Sequence, residues 1–127
     1  MDIQQRHSLF TLLYAMVLID NRVVRVEVDH FFRALEDFMK EVELINSLEA
    51  KATISNWFVQ HYKNILAQMR SPNRETFLLN HVESLKFYEH RQKVFAMMEH
   101  VANSDDEFHA LEKEFLDIVS EVWRLKP

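Results

Sequence analysis

No glycine and no cysteine occur anywhere in this chain, and proline occurs only twice. The missing glycine excludes the phosphate-cradling loop and the dinucleotide fingerprint, both of which need backbone without a Cβ beside the phosphate. It also argues against a β-rich fold, because tight hairpin turns need residues at positive φ. With so few breakers, the natural class is all-α. The missing cysteine excludes thiolate catalysis, disulfides and Cys-ligated zinc, and is compatible with a reducing cytosol.

Basic runs are also absent. Fifteen Lys and Arg stand against twenty Asp and Glu, a net charge of −5, so nucleic acid is not an expected partner. The longest apolar run, Leu9 to Ile19, is too short to span a bilayer. It is followed by Asp20, Asn21 and Arg22 and not by a small-residue cleavage site, so it reads as a buried helix and not as a secretory signal. The expected location is cytoplasmic, with no transmembrane segment. At 127 residues and 48% hydrophobic, the chain can bury one substantial core as a single domain.

What is present is a repeat. Acidic clusters interrupt two amphipathic patterns, at Leu18–Glu27 and at Val101–Glu112. Phe10 matches Phe95, Asp20 matches Asp105, Val23 matches Phe108 and Glu27 matches Glu112, each pair 85 positions apart. The spacing predicts two helix-turn-helix units, over about residues 3–42 and 87–125, flanking a middle helical segment over about 46–85.

Six or seven helices are expected. Asp2 and Gln5 form a capping box for the first, over about Ile3–Ile19, which is apolar on nearly all sides and so should be central. Val28, Phe31, Phe32, Leu35, Phe38, Met39 and Val42 recur at helical spacing in the second. Asn46 and Glu49 read as the capping box of a short helix, followed by a stripe from Ile54 to Met69. Ser71 and Pro72 read as the cap and first position of the next helix. A helix carrying Tyr88, Arg91, Val94, Phe95, Met98, Val101 and Ala102 on one face leads to the second acidic cluster. Leu111, Phe115, Ile118, Val119, Val122 and Trp123 should line the last.

The Asp-x6-Glu spacing has a chemical meaning. The Asp lies just past one helix, and the Glu falls about three residues inside the next. Two carboxylates beside the carbonyls of a helix C-terminus suit a hard cation such as Ca²⁺, Mg²⁺ or Mn²⁺. The candidate ligands are Asp20 and Glu27 in the first copy and Asp105, Asp106, Glu107 and Glu112 in the second. The alternative is structural, since Asp favours turns and a Glu in the first helical turn is stabilised by the macrodipole.

Other metal patterns fit less well. Neither turn is an EF-hand loop, since Val24 and His109 stand at the fifth position and Arg25 and Ala110 at the sixth. Glu27-x-x-His30 resembles half of a di-iron site, but no second Glu-x-x-His occurs. The seven histidines never fall three or four apart, so no single helix carries a chelating pair. His61 and His81 read as core or boundary residues, and His100 and His109 as helix-end groups beside the second cluster. Arg91 reads as snorkelling or pairing with an acid. No nucleophile motif points to a catalytic triad.

At both clusters the sequence resembles the tellurite-resistance TerB-like family, with its Asp-Gly-x-aliphatic-x-x-x-Glu signature after a hydrophobic helix. The first copy runs Ile19-Asp20-Asn21-Arg22-Val23 to Glu27, and the second Ser104-Asp105-Asp106-Glu107-Phe108 to Glu112. Asn21 and Asp106 stand at the glycine position, and both residue types tolerate the left-handed conformation. The resemblance implies an all-helical two-repeat domain and a non-enzymatic role in tellurite or chemical-stress resistance. It also implies a divalent cation at the motif acids and a protein partner, including membrane-associated ones. Two other readings use the same carboxylates: a metal-dependent hydrolase holding an activated water, and a purely structural interaction domain.

Overall fold

The computed structural model describes residues 1–19, 25–103 and 110–125. Its elements are α1 (Ile3–Leu18), α2 (Arg25–Val42), α3 (Ser47–Met69), α4 (Arg74–Ser84), α5 (Arg91–Ala102) and α6 (Ala110–Val122). Among the described residues there is no strand, so the all-helical class holds.

α1 is the hub. Its start is fixed by Asp2, whose Oδ1 accepts from the Gln5 amide at 2.7 Å, while the Gln5 side chain accepts from the Asp2 amide at 3.2 Å. Every residue from Ser8 to Ile19 is buried. A helix without a polar face needs cover on all sides, and α2, α3, α4 and α5 all pack against it. α2, by contrast, buries one stripe, with Phe31, Leu35, Phe38 and Met39 inside and Val28, Phe32 and Val42 at its margin.

The middle segment departs from the expected layout. Asn46 does cap a helix, accepting from the Glu49 amide at 2.8 Å. That helix does not stop short. It runs unbroken through the stripe to Met69, because no proline or glycine interrupts 47–69. Ser71 caps a turn and not a helix: its Oγ accepts from the Asn73 amide at 3.1 Å, and α4 begins only at Arg74.

Three further expectations need correction. α5 starts at Arg91, leaving Phe87 on the surface. Among the described residues Arg91 pairs with no acid; its guanidinium donates to the carbonyls of Trp123 at 3.0 Å and Tyr88 at 3.3 Å, tying the start of α5 to the end of α6. On α6 the buried side includes Glu112 and Leu116 with Phe115, Val119 and Trp123. Leu111 and Ile118 sit at the rim, more than a third exposed. The Trp123 indole donates to the Val82 carbonyl at 2.7 Å and so anchors α6 on α4.

Without glycine, helix ends that need positive φ fall to other residues. After α6, Arg124 adopts φ 53°. Its amide donates to Glu121 O at 3.2 Å and the Leu125 amide to Ser120 O at 3.0 Å, the paired bonds of a Schellman motif. Leu44, just past α2, has φ 58°. A side chain in this region costs roughly 1–2 kcal/mol, part of which glycine returns as extra chain entropy when unfolded. Arg124→Gly is therefore expected to raise unfolding free energy by about 0.5–1 kcal/mol in urea titrations. An unchanged or lower midpoint would show that the Arg124 side chain contributes more than its backbone costs.

Candidate functional site

The helix directions bring both acidic motifs to one end of the bundle. α4 runs antiparallel to α1: Arg74 at its start donates to Ile19 O at 2.5 Å, while His81 near its end meets Ser8 Oγ at 2.9 Å. α2 runs antiparallel to α5, with His30 against His100 near one end and Glu41 paired with Lys93 near the other. Leu111 and Phe115 of α6 share a groove with Ile19, Arg74 and Leu78, about 420 Å³ in volume. Arg6 near the start of α1 pairs with Glu43 past the end of α2 and lines a cleft with Tyr88, before α5. The C-termini of α1 and α5 and the N-termini of α2, α4 and α6 therefore gather at one end.

Glu27 and Glu112 occupy the third position of α2 and α6, as the spacing required, and those helices begin 85 residues apart, at Arg25 and Ala110. Each glutamate is only 1% exposed. A capping glutamate on a helix surface normally keeps its solvation; a buried carboxylate must exchange water for donors or cations. Both are partnered, and each sits where the positive end of a helix dipole favours an anion. Asp20, Asp105, Asp106 and Glu107 lie outside the described residues. Among the described residues no three His, Asp or Glu side chains form a metal-sized cluster.

The two copies differ electrically. The carbonyl that ends α1, at Ile19, is held by the Arg74 guanidinium, and Arg25 stands exposed in the first turn of α2. At the end of α5, Asn103 Nδ2 donates to Glu99 O at 2.9 Å. Arg74 and Arg25 thus place two cationic side chains at the first copy.

Sequence reasoning did not find Arg74 or the contact between His30 and His100, since both depend on which helices become neighbours. A signal for the pair existed only in each histidine's nearness to an acidic motif. Toward the other end, His7 packs against His61, His81 and Trp57, with ring centroids 4.7, 5.5 and 6.0 Å away. The Trp57 indole donates to His7 Nδ1 at 3.0 Å. His61 and His81 are thus boundary residues with partners, as their place on apolar stripes suggested.

The sequence model of the family described as Tellurite resistance protein TerB matches residues 6–127. No curated protein and no solved structure matches the sequence. No described helix is long and apolar enough to cross a membrane.

The histidine cluster makes stability depend on pH. Burial, reinforced by His7, pushes His81 down to about 4, and burial with His61 lowers His7. A folded-state pKa below the unfolded value means that the unfolded chain takes the proton more readily. Stability should be flat above the unfolded histidine value and fall as pH drops from there toward about 4. Urea midpoints at about pH 7 and about pH 5 should differ, and His81→Gln should shrink the difference. An equal difference in the variant would place the acid sensitivity elsewhere.

Proposed function

We propose, from the premise that this chain belongs to the tellurite resistance protein TerB family, that it is a non-enzymatic binding module whose acidic end takes a divalent cation. One observation carries the reading: the glutamates that close the two motif copies are both buried, at matching helix positions, at the same end of the bundle. Carboxylate oxygens are hard donors and suit Ca²⁺, Mg²⁺ or Mn²⁺. The residues that would hold the ion are Glu112 with Asp105, Asp106 and Glu107, and Glu27 with Asp20. The ion would offset the repulsion among these acids and fix the turns before α2 and α6.

The physiological role supported by family membership is resistance to tellurite or related chemical stress. We take the module to act in the cytoplasm through a protein partner, membrane-associated or not, with the cation setting the shape of the contact surface. Nucleic acid is disfavoured by the net charge of −5. The acids serve here as ligands and not as holders of an attacking water.

Ligands that bind only the folded state raise its stability, by about 2.7 kcal/mol at a hundredfold excess over Kd. Thermal melts in millimolar Ca²⁺, Mg²⁺ or Mn²⁺ should therefore shift upward beyond a control of matched ionic strength. Asp105→Asn with Glu112→Gln should abolish most of the shift. Asp20→Asn with Glu27→Gln should remove less, because Arg25 and Arg74 already neutralise part of that copy. If no hard cation shifts the melt and calorimetry shows no heat, the cation reading is wrong, and the acids are helix-terminal charges or a protein contact.

A further inference from the structure

A second kind of metal chemistry is available a few residues from the acids, on different side chains and independent of the reading above. His30, in the second turn of α2, and His100, near the end of α5, come together across the helix interface. His30 Nδ1 and His100 Nε2 are 3.1 Å apart, the ring centroids 4.9 Å, and the planes cross at 69°. Two imidazoles bound to one ion at about 2.05 Å, subtending about 100°, hold their nitrogens about 3.1 Å and their centroids about 4.9 Å apart. That angle lies between the tetrahedral value and the right angle of square-planar coordination, so both distances fit ligation without movement of either helix.

We infer that His30 and His100 form a two-histidine site for a borderline transition-metal ion, Zn²⁺, Ni²⁺ or Cu²⁺. Imidazole nitrogen selects these ions over the hard cations that carboxylates prefer. In the metal-free protein the two nitrogens share one hydrogen. The ion replaces it, and the ring that carried it moves its proton to its other nitrogen, so two neutral histidines remain neutral. Among the described residues no third His or carboxylate joins them. The remaining positions fall to water or to a donor from another molecule. Access is open: His100 is exposed and lines a groove between α2 and α5 with Asp37, Glu41 and Met97, about 270 Å³ in volume. The site is built to exchange its ion and accept an outside ligand, unlike a closed structural zinc site with four protein ligands.

Calorimetric titration of the full chain with Zn²⁺ or Ni²⁺ near neutral pH tests this. One ion should bind per chain, and His30→Gln and His100→Gln should each weaken binding by on the order of tenfold or more, the loss of one of two ligands. The Asp105→Asn, Glu112→Gln protein should keep the site. In the unmutated protein, the imidazole proton resonances of His30 and His100 should shift together as Zn²⁺ is added, a readout that needs no variant to fold. Absence of binding, survival of full affinity in either histidine variant, loss of binding in the acidic variant, or resonance shifts confined to other histidines would each overturn the assignment.

Discussion

A helix with no polar face imposes its requirements on everything around it. From Ser8 to Ile19 α1 offers water nothing, and each large apolar side chain left exposed would forfeit about 1.5–3 kcal/mol. Four helices are needed to cover it, and four do so. Once α2, α4 and α5 pack along α1, their directions fix which termini meet. The two acidic motifs join α1 to α2 and α5 to α6 in the sequence. The gathering of those helix termini at one end thus follows from how a wholly buried helix is enclosed.

That enclosure explains what could be read beforehand. The capping box at Asp2, the stripe from Phe31 to Met39 and the third-position placement of Glu27 and Glu112 are local properties, written in spacings of three and four. The errors arose where a local signal had a competitor. Ser71 has the chemistry of a cap, but Asn73 lies closer to the true start of α4, and Ser71 satisfies a turn amide. Leu111 and Ile118 have apolar side chains, yet α6 is rotated so that Glu112 and Leu116 face inward. Burial of a glutamate in preference to a neighbouring leucine runs against side-chain hydrophobicity, and only the assembled end of the bundle supplies the reason. The His30–His100 contact joins residues 70 positions apart, and its only sequence signal was each histidine's nearness to an acidic motif.

For this end of the bundle we propose two donor sets. Carboxylates from the motif copies suit hard cations, and the imidazole pair suits borderline ones. Arg74 at the Ile19 carbonyl and Arg25 bring positive charge to the first copy. The far end, with Arg6–Glu43 and Arg91 on the Trp123 carbonyl, is closed by contacts within the chain.

The central claim is that Glu112 is buried in order to hold a cation and not merely to cap α6. Crystals grown with Mn²⁺ and measured for its anomalous scattering test that most directly. The expected result is a peak within about 2.2 Å of a Glu112 carboxylate oxygen, with at least one of Asp105, Asp106 or Glu107 as a further ligand. A well-ordered turn with no peak there, and with the Glu112 carboxylate bonded only to amides of its own helix start, would contradict it.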